Sequence, residues 1–227
     1  MARGVCSAVK FISCKLISLY QKTFRYLFII CPNRLRLKNK NFSIISKDCM
    51  GGIILYKLGV RFNSPTINLK FTESDFIKFC ENLKYYLSLE IKEYYQDGIN
   101  YPVGTLGEGN EKIIIYFQHY ETFTQAKSKW DERKTRINWD NLYFIMSDGK
   151  NCDDVIVKKF DSLPYEHKAF LTYRDLDGIK SAVKFEPIRV KEGNTYKFIQ
   201  PAIFERKSRF SGKRIVDDWD YIKFLNS

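Results

Sequence analysis

The first 47 residues of the chain contain no aspartate or glutamate, although ten lysines and arginines lie among them. The rest of the chain holds 28 basic and 26 acidic residues, so most of the net charge of +12 belongs to this leader. A nucleic-acid-binding domain carries a basic surface on the folded domain together with a recognisable motif, and neither is present here. The sequence therefore does not predict a nucleic-acid partner.

The sequence also lacks an apolar run long enough to cross a membrane. A spanning helix needs about 20 mostly apolar residues. A secretory signal needs an unbroken apolar core and a small-residue cleavage site, and the leader has neither. Basic residues interrupt every window of that length, namely Lys10, Lys15, Lys22 and Arg25.

Residues 1–40 instead predict a basic amphipathic helix that ends near Pro32, followed by the linker "RLRLKNK". Two placements stay open for this helix. It lies on an anionic membrane surface, or it packs on the domain with its basic face in solvent. The first placement puts the protein at the inner face of the cytoplasmic membrane.

Metal-binding residues are scarce. The chain has two histidines, and its six cysteines form no CxxC pair, so a structural zinc site is not expected. Reduced thiols in a cytoplasmic protein are the default for cysteines without a secretion signal. One histidine, His167, lies within "LPYEHK", which predicts a surface loop.

Residues 41–227 predict a single α/β domain in which strands alternate with helices. The alternation is typical of a three-layer α/β/α fold with a mainly parallel sheet, preceded here by the basic helix. A helix is predicted to begin at Thr72, with Asp75 three residues later as in a capping box. The predicted strands are "FSIIS", "EKIIIYFQHY", "NLYFIMSD" and "KAFLTY", and the isoleucine-rich second one is typical of a buried parallel strand.

Several blocks in one order resemble a known family. They include "IISKDCMGG", "LGVRFNSPTINL", "DFIKFCENLKYYL", "YPVGTL", "IYFQHYETFTQAKSKWDERKTRINWDNLYFIMSD" and "FDSLPYEHKAFLTY". Together they resemble the uncharacterised bacterial family labelled exopolysaccharide biosynthesis protein, a domain of unknown function. The resemblance implies an α/β fold and a sugar or polysaccharide precursor as partner, in the making of exo-, capsular or lipopolysaccharide. It does not imply a reaction.

Three side chains follow apolar runs and are candidates for catalysis: Cys49, His119 and Asp148. Because strand ends converge at one edge of a parallel sheet, we expect them to lie close together. A cysteine activated by a histidine that an acid orients is an arrangement for acyl transfer, with acyl-coenzyme A as a candidate donor. The amides of Gly51 and Gly52 are expected to hold the oxyanion.

The helix that follows His119 supplies candidate substrate-binding residues: Trp130, Arg133 and Arg136. Guanidinium groups bind phosphates in a bidentate way, so the arginines are candidates for the diphosphate or phosphoadenosine part of a donor. The alternative is that this charged helix face is simply solvated.

Two other function classes stay open. A glycosyltransferase that uses a nucleotide sugar holds Mg²⁺ or Mn²⁺ through paired acids, and the candidate ligands are Asp175 with Asp177 and Asp218 with Asp220. A non-catalytic protein of polysaccharide assembly would bind sugars on exposed aromatic rings. The sequence favours a transferase and places acyl transfer first, because Cys49 and the two glycines combine a nucleophile with amide donors.

Overall fold

The computed structural model describes residues 2–192, 195–208 and 210–227, with side chains from residue 14 onward. The chain forms two compact units. Unit 1 consists of Met1–Lys38 and Pro187–Asn226, and unit 2 consists of Asn39–Glu186 with Ser227. This division differs from the predicted leader 1–40 and single domain 41–227, because residues 187–226 group with the N-terminal segment.

Unit 1 begins with helix α1 (Ala2–Arg25), which continues through a π-helical segment (Tyr26–Ile30) into α2 (Cys31–Arg36). The predicted end near Pro32 is wrong, because this proline lies in the first turn of α2. A proline is tolerated at that position, where it has the least effect on helical hydrogen bonding. The helix ends where Leu37 becomes extended. Among the described residues, no helix is both long and apolar enough to span a bilayer.

Unit 2 is built on a four-stranded parallel sheet, as the sequence predicts. The strands of the unit are β1 (Ser43–Ser46), β2 (Lys92–Glu93), β3 (Val103–Leu106), β4 (Ile113–Tyr116), β5 (Leu142–Ser147), β6 (His167–Thr172) and β7 (Ala182–Lys184). The parallel sheet has the order β1-β5-β6-β7. Each of its two central strands buries four of its six residues, which is why they read as apolar runs. Helices on both faces of this sheet stay a prediction.

Strand β4 does not join the parallel sheet, so the prediction for "EKIIIYFQHY" is wrong. It pairs with β3 in a separate antiparallel sheet of order β2-β3-β4. Ile113 and Ile115 are buried while Ile114 and Tyr116 are only half-buried. Antiparallel strands with one covered face show this alternation. The sequence conceals it, because the residues on both faces are apolar.

Helices α3 (Met50–Leu58), α4 (Glu73–Glu81), α5 (Leu83–Ser88), α6 (Phe123–Lys134) and α7 (Asp154–Ser162) complete unit 2. The predicted start at Thr72 is confirmed, because its hydroxyl accepts the Asp75 N–H at 3.2 Å. The Asp75 carboxylate accepts the N–H of Ile114 at 3.3 Å, which ties α4 to β4. The helix that is predicted to begin at Thr72 is interrupted at Asn82, whose φ of −127° and ψ of 45° are not helical.

The core of unit 2 is rich in aromatic side chains. It includes Phe71, Phe76, Phe79, Tyr86, Phe117, Trp130, Phe144, Phe160 and Phe170. Helix α6 contributes Ala126 and Trp130, which are both buried. Large rings bury the most area per residue and dominate the stabilisation of such a core.

Unit 1 is completed by the C-terminal part of the chain. Strands β8 (Ile188–Glu192) and β9 (Thr195–Ile199) form an antiparallel hairpin, and a 3₁₀ turn (Ile215–Asp218) leads to helix α8 (Tyr221–Leu225). The Arg25 guanidinium donates to both oxygens of Asp217 at 3.1 and 3.2 Å. The amide of Asn33 donates to the Tyr221 hydroxyl at 3.0 Å. These contacts between distant parts of the sequence explain why the two segments form one unit.

Candidate active site

Cys49 lies at a junction between a strand and a helix. The buried strand β1 leads through Lys47 and Asp48 to Cys49, which is the N-cap residue of α3. The Asp48 carboxylate accepts the Met50 N–H at 2.9 Å and fixes the turn. Cys49 has φ −65° and ψ −5°, so the turn presents the thiol without backbone strain.

The two glycines after Cys49 belong to the first turn of α3. A Cβ on Gly51 would lie 2.9 Å from the Ser46 Cβ, so a glycine is needed for the helix to approach β1. The Gly51 N–H donates to the Ser46 hydroxyl at 3.2 Å, and it is therefore not free for the predicted oxyanion role. The Gly52 N–H precedes the first intrahelical hydrogen bond, from Ile53 to Cys49 O, and belongs to the amides that a helix start leaves to other acceptors.

His119 comes from the antiparallel sheet and not from the parallel one. It lies in the turn after β4, and its Nε2 is 3.0 Å from the Cys49 Sγ. The sequence prediction that these two residues lie close together is confirmed. The thiol donates to Nε2 when the ring proton is on Nδ1. The sulfur is half-buried and the imidazole is exposed, so a substrate can reach the pair from solvent.

The sequence predicts that Asp148 orients His119, but its described contacts are with other residues. It follows β5, and its carboxylate accepts hydrogen bonds from the Thr172 hydroxyl at 2.6 Å and from the Arg174 Nε at 2.9 Å. Among the described residues, the hydrogen bond of His119 runs to Cys49 alone. The structure therefore presents a cysteine–histidine pair, and Asp148 belongs to a neighbouring charged network.

The electrostatics of the pair favour the neutral thiol. Burial, together with the Asp48 carboxylate, raises the pKa of Cys49 to about 11. The Lys70 ammonium acts in the opposite direction with a smaller effect on this pKa. Lys70 follows Leu69 at the point where the chain pairs with Tyr116 of β4. Lys70 is a candidate residue that the sequence reasoning missed, because no periodicity marks it.

The carboxyl edge of the parallel sheet carries further charges. Lys47, directly after β1, donates to Glu73 at 3.0 Å, with side chains only 4% and 12% exposed. A Cβ on Gly149 would lie 1.9 Å from the Glu73 carboxylate, so the chain after β5 passes directly over this ion pair. Burial by itself raises the pKa of Glu73, but the Lys47 ammonium outweighs it and holds the pKa below its usual value. The sequence signal for such a residue is a charge placed directly after an apolar run.

The predicted substrate-binding residues on α6 have structural contacts. Trp130 is buried in the core, with its ring 6.1 Å from that of Phe79, so it is not available to stack on a sugar. The guanidinium of Arg133 donates to the Tyr120 hydroxyl at 2.8 Å and to the Ile67 carbonyl at 3.3 Å. Because Tyr120 is next to His119, Arg133 holds the histidine turn in place.

Arg136 is also occupied. It donates to the Phe62 carbonyl at 3.4 Å and pairs with Glu132 on its own helix. The sequence predicts that both arginines bind a donor phosphate, but in the structure they tie α6 to the loop between α3 and α4. The alternative prediction, that the charged face of this helix is solvated, describes Lys127 and Lys129, which pair with acids on the exposed side of α6.

The acids of the two alternative metal-binding pairs are paired with basic side chains or lie in solvent. Asp175 pairs with Lys184, and Asp177 is exposed. Asp218 accepts from Lys207 and Lys213. Asp220 pairs with Arg36 and caps α8 by accepting the Lys223 N–H. Within the described ranges, no group of three potential ligands is suited to a metal ion.

His167 does not lie in a surface loop. It is the first residue of β6, and its ring stacks on that of Tyr143 with centroids 4.4 Å apart. Its Nδ1 is 3.2 Å from the Ser227 hydroxyl. This position is at the amino end of the parallel strands, whereas Cys49 follows the carboxyl end of β1.

These features define an α/β protein that presents a cysteine–histidine pair beside the carboxyl edge of a parallel sheet. The chain belongs to the family described as a domain of unknown function (DUF1919), whose model matches residues 20–226. It is also similar to an uncharacterized protein of Haemophilus influenzae, at 31% identity over 193 residues, which covers 84% of this chain and 87% of the relative. Neither description names an activity, so the exopolysaccharide label stays a prediction.

Proposed function

We propose that this protein is an acyltransferase that uses Cys49 as nucleophile and His119 as general base. One observation carries the proposal, the 3.0 Å approach of Cys49 Sγ to His119 Nε2. Nucleophile and base at hydrogen-bond distance is the arrangement that covalent acyl transfer requires. The exposed imidazole leaves the donor and the acceptor access to the same pair.

The resting thiol needs the base. With the pKa of Cys49 at about 11, almost none of the sulfur is thiolate at neutral pH. His119 takes the thiol proton as sulfur attacks the carbonyl carbon of an acyl thioester, such as acyl-coenzyme A. The carbon–sulfur bond to Cys49 forms, the bond to the donor sulfur breaks, and the protonated His119 returns its proton to the leaving thiolate.

The second half of the reaction regenerates the thiol. An acceptor hydroxyl gives its proton to His119 and attacks the acyl carbon on Cys49, and the sulfur leaves and regains a proton. The Gly52 amide and the Lys70 ammonium are the donors that we assign to the oxyanion of both steps. The arginine Arg133 supports the base by holding Tyr120.

The acceptor follows from the resemblance to the exopolysaccharide proteins and rests on it alone. We propose a hydroxyl group of a sugar or of a polysaccharide precursor, modified at the cytoplasmic side of a bacterial membrane.

The alternative of glycosyl transfer from a nucleotide sugar has less support. Asp175, Asp218 and Asp220 are engaged by basic side chains, which compete with a metal ion for the carboxylates. The non-catalytic alternative gives no reason for the close cysteine–histidine contact.

The proposal is tested by trapping the covalent intermediate. The protein is incubated with a panel of acyl-coenzyme A thioesters, and the intact mass and the modified peptide are measured. We expect one acyl group on Cys49, none in the Cys49→Ala variant, and a rate lowered by about 100-fold or more in His119→Gln.

The matched control is Cys14→Ala, which removes an exposed thiol of unit 1 and should acylate like the unmodified protein. Acylation that persists in Cys49→Ala, or that depends on Cys14, would contradict the proposal. A binding signal for nucleotide sugars that requires Mn²⁺, without any acyl adduct, would favour glycosyl transfer.

A further inference from the structure

The two units differ completely in charge. Unit 1 contains 17 lysines and arginines against 5 aspartates and glutamates, which is the entire net charge of +12. Unit 2 contains 21 of each sign and is neutral. The proposed active site lies in the neutral unit, so the positive charge of unit 1 needs a separate explanation.

Two polar side chains of helix α1, Gln21 and Arg25, contact the C-terminal part of unit 1. Gln21 is only 6% exposed and accepts a hydrogen bond from Arg206 Nη1 at 3.0 Å. Gly212, with φ +64°, lets the C-terminal loop approach closely, because a Cβ there would lie 3.1 Å from the Gln21 Cβ. Arg25 is also turned inward, onto Asp217.

Large apolar side chains of α1 and of the π-helical segment that follows it face solvent. Four large side chains are 54–65% exposed: Leu16, Leu19, Leu27 and Phe28. A helix on the surface of a water-soluble domain normally buries its apolar side and exposes its polar one. Exposed apolar side chains on a helix that also exposes basic residues, here Lys15 and Lys22, are typical of a helix that lies in a membrane interface.

A cleft of about 450 Å³ lies beside this helix within unit 1. It combines basic groups with an apolar wall, and its lining includes Lys22, Arg25, Arg206, Arg214, Tyr26 and Leu27. Asp217 already accepts from the Arg25 guanidinium and from the Arg214 N–H. Among the described residues, no carboxylate lies at ion-pair distance from the Arg214 guanidinium. The cleft thus offers guanidinium donors to an anion, next to a surface for acyl chains.

We propose that unit 1 docks on the surface of a bilayer that contains anionic lipids, with the exposed apolar side chains of α1 and of the π-helical segment in the interface and a lipid phosphate in the arginine cleft. The net charge of unit 1 complements such a surface, where each basic residue contributes to attraction. The exposed apolar side chains enter the boundary between headgroups and acyl chains. The exposed leucines favour a membrane over a nucleic acid, which would need stacking rings along a basic groove.

The test measures co-sedimentation of the full-length protein with phosphatidylcholine vesicles, with and without phosphatidylglycerol. We expect binding only when the anionic lipid is present, and weaker binding as salt is raised, because salt screens charge attraction. Leu27→Glu should abolish binding. Arg214→Gln should weaken it about fivefold, as expected for one basic residue at an anionic surface.

Matched controls lie in unit 2. Tyr95→Glu changes an aromatic side chain that is even more exposed than Leu27, and Cys49→Ala removes the proposed nucleophile, so both should bind vesicles like the unmodified protein. Circular dichroism of each variant confirms that the fold is retained, and Lys22→Gln replaces Arg214→Gln if the latter does not fold.

Four outcomes would overturn the proposal. They are equal binding to neutral vesicles, binding to inorganic phosphate or to RNA homopolymer without binding to anionic vesicles, unchanged vesicle binding in Leu27→Glu, and a vesicle-free dimer that Leu27→Glu disrupts. The last result would assign the exposed apolar side chains to a second copy of this chain.

Discussion

At the scale of single residues, the surroundings decide what each ionisable group does. Cys49 is half-buried beside a carboxylate and stays a thiol, whereas its contact with His119 gives it a route for its proton. Arg133, which the sequence predicts to bind substrate, instead contacts Tyr120 beside His119, the proposed base. An arginine can therefore bind a ligand or support the fold, and its contacts determine which role it has.

The buried ion pair of Lys47 and Glu73 gives a prediction at this scale. Glu73→Gln should lower the free energy of unfolding by about 3 kcal/mol, because it leaves the Lys47 ammonium buried without a counter-charge. The measurement is urea denaturation. The matched control is Glu108→Gln, which breaks a pair with Lys92 that is largely exposed and should change stability by less than about 1 kcal/mol.

The same pair predicts a dependence on pH. The pKa of Glu73 is lower in the folded protein than its ordinary value of 4.5, so the unfolded chain binds the proton more tightly. The stabilisation is present above pH 4.5 and is lost as the pH falls through the folded pKa. Between neutral pH and pH 3, the free energy of unfolding should fall more steeply in the unmodified protein than in Glu73→Gln. Parallel curves for the two proteins would contradict the assignment.

At the scale of elements, the site arises where two sheets meet the start of one helix. Strand β1 and helix α3 present Cys49, and the turn after β4 presents His119. The contact depends on how closely α3 lies against β1, and this distance is set by the absence of a side chain at Gly51.

Gly51→Ala therefore gives a prediction for the element. The added Cβ would lie 2.9 Å from Ser46 Cβ and 3.0 Å from Ile44 Cγ2, so α3 must shift. We expect a loss of about 1–3 kcal/mol in stability, as for overpacking of a core, and slower acylation of Cys49. Tyr56→Ala is the control on the same helix, because its side chain is 77% exposed. Normal acylation in a destabilised Gly51→Ala would show that the helix position does not control the site.

At the scale of the whole molecule, the chain separates its charge from its proposed chemistry. All of the net charge lies in unit 1, while the aromatic core and the cysteine–histidine pair lie in unit 2. A neutral unit with its own core does not require the basic unit for burial of its apolar side chains.

This separation predicts that residues 39–186 fold on their own. The fragment should unfold cooperatively and acylate Cys49, but it should not bind anionic vesicles. Thermal denaturation followed by circular dichroism, intact mass and vesicle co-sedimentation measure the three properties. A fragment without a cooperative transition would show that unit 1 is needed for the core, and a fragment that binds vesicles would move the docking surface to unit 2.

Elements with strong local signals follow from the sequence alone. These are the parallel strands in "FSIIS", "NLYFIMSD" and "KAFLTY", the helix start at Thr72, and the concentration of charge near the N-terminus. Such features depend on apolar runs and local hydrogen bonds, which neighbouring residues specify. The approach of Cys49 to His119 was predicted because both follow apolar runs. The expected reason, two strand ends in one parallel sheet, is wrong, since His119 follows β4 of the antiparallel sheet.

The tertiary structure determines which strands and which side chains contact each other. It placed β4 in an antiparallel sheet, gave Asp148 to Arg174, buried Trp130, and joined residues 187–226 to the N-terminal helix. Sheet membership and ion-pair choice depend on residues far apart in the chain, and an apolar run has the same sequence in either kind of sheet. Which side chains of α1 are exposed also depends on the tertiary structure, because the sequence of an amphipathic helix does not show which side a partner covers.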